Sequence, residues 1–329
     1  MSTSPVPTDK ITMAKALNEG LRRAMESDPK VLIMGEDVGK LGGVFRITDG
    51  LQKDFGEDRV IDTPLAESAI IGTAVGLAIR GYRPVCEIQF DGFVFPGFDQ
   101  IVSQVAKIHT RSDGLVRMPI TIRIPFGGGI GAVEHHSESP EAFFAHSPGL
   151  KVVSCSNPSD AYWMIQQSIA SDDPVVFFEP KRRYWAKGQV DGESQPLHQA
   201  RVVRPGRDLT IAAYGPMVTT ALDAARVAAE DGQELEVIDL RTLSPLDMPT
   251  LLGSVERTGR LIVVHEAQRS FSVSAEVAAR VQERAFYALE APVLRVTGYD
   301  TQYPPSRLEE EWLPNVDRIL DAVDRSLGY

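Results

Sequence analysis

Only two cysteines occur in the chain, Cys86 and Cys155, and no Cys-x-x-Cys pair. That excludes a disulfide scaffold and a zinc site of the paired-cysteine kind. Both fall in apolar strand-like runs and are expected as buried thiols in a reducing compartment. Basic tracts are missing too: 34 Lys and Arg face 45 Asp and Glu, a formal net charge of -11. This balance argues against nucleic acid and anionic membranes and leaves room for a basic protein partner. No apolar run reaches membrane length and no signal-peptide pattern is present, so a cytoplasmic location is expected. Short repeats and low-complexity segments are absent. Aromatic residues are few, at 7%, which makes any local concentration of them informative. What remains is ordinary globular composition over 329 residues, long enough for about two domains. Met1–Thr8, polar with two prolines, is expected to be a loose arm.

Helical periodicity begins at Met13, Ala16, Leu17, Leu21, Ala24 and Met25. Short apolar runs follow at Val31–Met34, Pro84–Phe90, Pro119–Ile124, Lys151–Ser154 and Pro174–Phe178. Helical patterns through Ile101, Val105 and Ile108, and through Ala161, Ile165 and Ile169, separate some of them. Such alternation predicts an α/β fold with a mostly parallel sheet and helices on both faces. Lys187–Arg207 is polar and rich in Gly and Pro, and reads as a linker. The expected organisation is a first domain over 1–186, a linker over 187–207 and a second α/β domain over 208–329. In the second, Leu209–Tyr214, Leu235–Leu240, Arg260–His265 and Val293–Val296 read as strands. Val218–Glu230, with Ala221, Leu222, Ala225, Ala228 and Ala229 inward, Leu246–Glu256 and Asn315–Leu327 read as helices.

Three segments carry chemistry. In Ile61–Ser68, a strand-like start runs through Asp62-Thr63-Pro64 into a small-residue helix, Ala66–Arg80, with Glu67 in its first turn. A carboxylate there meets the helix dipole. It is also poorly solvated, because the helix that follows is almost without charge. Glu87–Gln100 concentrates Phe90, Phe93, Phe95 and Phe98 in a strand-to-helix connection with Gly92, Pro96 and Gly97. Rings there either pack in the core or wall a flat ligand in the crevice at the strand ends. Pro125–His146 holds the run Gly127-Gly128-Gly129-Ile130-Gly131 and then His135, His136 and His146. It lacks a P-loop Lys-Ser/Thr, so it is a weak phosphate signal and a stronger signal of a mobile, backbone-exposing loop. Two adjacent histidines before a helix start at Ser139-Pro140-Glu141 look like a site.

Several motifs together resemble one family, the β subunit of the thiamine-diphosphate-dependent 2-oxo acid dehydrogenases, their decarboxylase component. They run from Gly35-Glu36-Asp37-Val38 through Asp62–Glu67 and Phe95–Gln100 to His136–Ala142 and Pro148–Val153. They continue in Phe177–Pro180, Ile238–Thr242 and Val296–Thr301. Phe177–Lys181, Pro140–His146 and Gly298–Thr301 are most similar to the branched-chain (2-oxoisovalerate) type, with pyruvate and acetoin relatives close behind. The resemblance implies a transketolase-like pyrimidine-binding domain followed by a transketolase C-terminal domain.

It also implies roles. Glu67 matches the glutamate that shares a proton with the cofactor's pyrimidine nitrogen, so that the neighbouring amino group can take the thiazolium proton. Phe93 falls where an aromatic ring lies against the aminopyrimidine. His136 matches an active-site histidine that donates to the intermediate or to the lipoyl sulfur. Potassium would be held by Ile120, Thr121, Ser168, Ser171 and Asp173, mainly through carbonyls. The family's Gly-Asp-Gly diphosphate segment is missing. The diphosphate and its magnesium are therefore expected on an α subunit, in an α2β2 assembly that serves a dihydrolipoyl acyltransferase. The helix Ala66–Arg80 is the expected contact surface. His135 and Glu138, both near His136, depart from the family's usual residues, as does Gln268-Arg269-Ser270-Phe271. Alternatives are a pyruvate or acetoin dehydrogenase β subunit, a self-contained transketolase-like enzyme, for which the chain is short, and a noncatalytic docking subunit.

Overall fold

The computed structural model describes residues 6–329. Met1–Pro5 of the expected arm lie outside the described residues, and 6–8 have no regular structure. In chain order the elements begin with β1 (Ile11–Thr12), α1 (Met13–Ser27), β2 (Val31–Gly35), α2 (Leu51–Phe55) and β3 (Val60–Asp62). Next come α3 (Glu67–Ile79), β4 (Arg83–Glu87), α4 (Ile108–Arg111), β5 (Thr121–Phe126) and α5 (Glu141–Ala145). β6 (Lys151–Ser154), α6 (Pro158–Ala170), β7 (Val175–Pro180), β8 (Lys187–Gly188) and β9 (Arg201–Arg204) follow. The remainder comprises β10 (Leu209–Ala213), α7 (Met217–Glu230), β11 (Leu235–Asp239), β12 (Thr242–Ser244) and α8 (Met248–Thr258). The chain closes with β13 (Leu261–Val264), α9 (Val273–Ala285), β14 (Leu294–Val296), α10 (Glu309–Trp312) and α11 (Val316–Leu327).

Two main sheets result, besides the two-stranded antiparallel pair of β1 and β8. The first has strand order β12-β6-β7-β5-β4-β2-β3, and the second β14-β13-β10-β11-β9. Within these two, all pairs are parallel except the edge strands β12 on β6 and β9 on β11. Strands such as β2, β5 and β7 are buried along their whole length, as sheets covered on both faces require. α1 packs its Met13, Leu17, Leu21 and Met25 stripe on one face together with α6. Thr12 caps its N-terminus by accepting Lys15 N–H. The other face buries Ile70, Ile71 and Ala74 of α3, and its apolar cluster runs on through Ala212, Ile238 and Val263 of the second sheet. One core thus spans both units.

Within the expected linker 187–207, β8 pairs with β1, and β9 is an edge of the second sheet. β12 crosses back to extend the first sheet. The helical pattern at Ile101 and Val105 is a π-helix over Gln100–Val105, where Ala106 N–H reaches the Ile101 carbonyl at 2.9 Å. In α7, Ala224 is buried and Ala229 is exposed, because Met217, Val218 and Ala221 set the inward stripe. Both cysteines are buried free thiols, and burial pushes Cys86 up to about 12. No helix among the described residues is long and apolar enough to cross a membrane.

Candidate active site

Three connections of the first sheet leave the carboxyl ends of its strands, where open α/β sheets form crevices. β3 leads into α3, β4 into the phenylalanine-rich connection, and β5 into the glycine and histidine loop.

β3 ends where Thr63 N–H makes the last rung to the Gly35 carbonyl at 2.9 Å, and Pro64 keeps the chain extended before the helix. Glu67 then opens α3 and is 7% exposed. Among the described residues, its carboxylate has no hydrogen-bond partner in the protein, so it is open to a ligand. Glu36, just past β2, is its neighbour in charge. Burial, then Glu67, then Asp37 raise the Glu36 carboxyl above the usual range, and its Oε1 is buried without a partner. Glu36 carried no assigned role in the sequence reading. Its signal was an acidic residue directly after a strand, in Gly35-Glu36-Asp37.

The connection after β4 coils tightly over Asp91–Gly97. A Cβ on Gly92 would lie 2.3 Å from the His135 carbonyl oxygen, and one on Gly97 3.2 Å from that of Glu67. The same turn therefore touches the start of α3 on one side and the histidine turn on the other, and bare glycine permits the closer approach. The four phenylalanines divide. Phe90 stacks on His136 at 4.0 Å between centroids and 17° between planes, and Phe93 meets His136 edge-on at 5.0 Å. Phe98 packs on Phe144, and Phe95 on the exposed Phe143.

His136 is half-buried, and its Nδ1 lies 2.9 Å from the His135 carbonyl. A carbonyl only accepts, so Nδ1 carries a proton and Nε2 is the atom left to face a ligand. His135 is exposed beside Glu134 at 3.3 Å. His146 caps the C-terminus of α5 and is exposed, apart from the pair.

The glycine run is neither free nor a phosphate cradle. Its N–H groups are taken by the protein's own carboxylates: Gly128 by Glu266 at 3.0 Å, Gly129 and Gly131 by Glu309 at 2.8 and 3.1 Å. Tyr303 donates to Glu309, and Arg182 pairs with Glu266 at 3.0 Å. Such successive N–H groups form an anion-binding nest, filled here from the second domain.

Ile120, Thr121, Ser168, Ser171 and Asp173 gather at the opposite, amino end of β5 and β7. The Ile120 carbonyl accepts Val175 N–H at 2.9 Å, and the Ser168 carbonyl accepts Ser171 N–H at 3.2 Å. Arg83 donates to the Ser171 carbonyl at 3.0 Å, and Lys151 pairs with Asp173 at 3.0 Å. Thr121 Oγ1 is buried without a partner.

Residues 9–186 match the family description "Transketolase, pyrimidine binding domain", and residues 198–319 match "Transketolase, C-terminal domain". Over 321 residues the chain is 63% identical to the pyruvate dehydrogenase E1 component subunit beta of Leifsonia xyli, covering 97% of this chain and 95% of that protein. It is 56% identical over 323 residues to the 3-methyl-2-oxobutanoate dehydrogenase subunit beta of Mycobacterium tuberculosis, covering 97% and 93%. A split-gene transketolase, an inactive β4 tetramer, superposes with a TM-score of 0.82 at 21% identity, covering 97% of this chain and 99% of that one, which shows the shared fold. The two domains in this order, with relatives of this identity over nearly the whole length, show that the chain belongs to the E1 β-subunit family of the 2-oxo acid dehydrogenases.

Proposed function

We propose that this chain forms the pyrimidine side of a thiamine-diphosphate site and works only with an α subunit, in oxidative decarboxylation of branched-chain 2-oxo acids. The observation that carries the reading is Glu67: a buried carboxylate with no hydrogen-bond partner among the described residues, opening a helix beside the aromatic and histidine cluster. Its fit to a heterocycle is supported by the half-buried Phe93 ring at the same strand ends. When bound, thiamine diphosphate supplies the electron sink for decarboxylation. Glu67 shares a proton with a ring nitrogen, a role that its 7% exposure favours by keeping water away. Phe93 orients the ring by stacking, for which it needs no hydroxyl. With its ring doubly protonated, His136 donates through Nε2 to the reacting oxygen or to the lipoyl sulfur when the acyl group passes to the acyltransferase, while Nδ1 keeps the His135 carbonyl. This assigns Glu67 and His136 to catalysis and Glu67 and Phe93 to cofactor binding.

The diphosphate and its magnesium belong to the α subunit. The glycine run here is already occupied by carboxylates, and the chain has no Gly-Asp-Gly. α3 suits that partner: its outer glycines Gly72 and Gly76 meet nothing within 4 Å, and Ile79 is 56% exposed. A structural potassium at Ile120, Thr121, Ser168, Ser171 and Asp173 is supported by the orphaned Thr121 hydroxyl, although the Arg83 guanidinium shares the Ser171 carbonyl. Pyruvate is the second reading for the substrate, favoured by the 63% identical relative of that name.

Glu67→Gln in the complex with the α subunit tests the role of Glu67. Turnover should fall by roughly 100-fold or more, in the range of a lost acid–base group. Normal turnover by an assembled variant would refute it.

A further inference from the structure

Beneath the His136 turn lies an ion pair that the chemistry above does not use. Asp91 and Lys181 are 0% and 2% exposed. They come from the connections after β4 and β7, the strands on either side of β5. Lys181 Nζ donates to Asp91 Oδ1. Asp91 Oδ2 accepts Glu138 N–H at 2.8 Å, and the Glu138 carbonyl accepts Gly127 N–H at 2.9 Å. The residue two positions after His136 is thus held by both its backbone groups. The residue before Asp91 is Phe90, the ring stacked on His136 at 4.0 Å. Lys181 Nζ also stands 5.8 Å from the centroid of that ring.

Enclosure disfavours both charges. Burial pushes Asp91 up to about 6 against the pull of Lys181, and burial lowers Lys181. A buried pair of this kind is weak support for stability, since a well-packed apolar pair of similar volume does as well. An apolar pair would not accept the Glu138 N–H or fix the backbone that carries Phe90.

We propose that Asp91, oriented by Lys181, is a positioning residue for His136: it locks the 134–138 turn and the Phe90 platform so that Nε2 faces the reacting group. The proposal rests on the role given to His136 above.

The test uses the reconstituted complex with the α subunit. Asp91→Asn with Lys181→Met removes both charges and keeps an acceptor for Glu138 N–H. Its kcat should fall less than that of a variant without the acceptor, and an equal fall in the two would overturn the proposal. Asp91→Leu with Lys181→Met removes the acceptor as well. Its kcat should fall about 10- to 100-fold with KM nearly unchanged, the scale of a catalytic group misplaced by about 1 Å. Placed on His136→Ala, the same double change should cost nothing further, because groups that act as a unit are not additive. Wild-type turnover by an assembled Leu/Met variant would overturn the proposal, as would an equal loss in the His136→Ala background. If that variant does not assemble, Phe90→Leu decides. It should lower kcat in the wild-type background and not in His136→Ala, and any other pattern overturns the mount. Wild-type turnover by His136→Ala alone would overturn the role of His136 and the proposal with it.

Discussion

At the scale of single residues, Glu141 shows how burial sets protonation, away from the chemistry. It is fully buried, accepts the Tyr214 hydroxyl, and burial pushes its carboxyl up to about 8 from the ordinary 4.5. Between those values the folded protein keeps a proton that the unfolded chain has released. Stability from this group therefore falls as pH rises through the window, by up to about 1.4 kcal/mol per pH unit. Glu141→Gln, whose amide oxygen still accepts from Tyr214, should flatten the dependence. Melting curves of wild type and variant that stay parallel from about pH 5 to 8 would contradict this. Glu67, Phe93 and His136 were legible as candidate residues because each follows a strand end in a distinctive run. The buried pair of Asp91 and Lys181 was not, because the two are 90 positions apart in sequence.

Elements explain what periodicity caught and what it missed. α1 and α6 carry ordinary apolar stripes, and their buried faces follow them. The π-helix over Gln100–Val105 buries Ile101 and Val105 at the spacing an α-helix would give, so the wider turn leaves no mark in the apolar pattern. β12 and β9 are short antiparallel edge strands whose polar residues read as loop. The coil over Asp91–Gly97 works as a spacer between the histidine turn and α3, and Gly92 is its tightest point. Gly92→Ala should displace the His135–His136 turn by forcing a Cβ into the His135 carbonyl. We expect kcat to drop by about 10-fold or more in the assembled complex, with a melting temperature near wild type. Full activity in Gly92→Ala would show that the turn has slack.

Over the whole molecule, the two domains share one apolar core and a polar latch. Glu309 and Glu266 reach back to the glycine run, 180 and 138 positions away, which no local pattern foretells. Glu309→Gln leaves one acceptor oxygen where Gly129, Gly131 and Tyr303 now share two. It should lower the free energy of unfolding by about 1–3 kcal/mol. Denaturant titration with an unchanged midpoint would show that the latch adds nothing. The fold class was legible from alternating strands and helices, whereas the interdomain contacts depend on long-range closure. The same scale holds the central claim, that this chain carries half of a decarboxylase site. The most direct measurement is turnover of 2-oxoisovalerate and of pyruvate, with thiamine diphosphate, magnesium and an artificial electron acceptor, by this chain alone and by the chain with its α subunit. The account predicts activity only in the pair, with 2-oxoisovalerate preferred. Preference for pyruvate would reassign the substrate, and turnover by the chain alone would contradict the account.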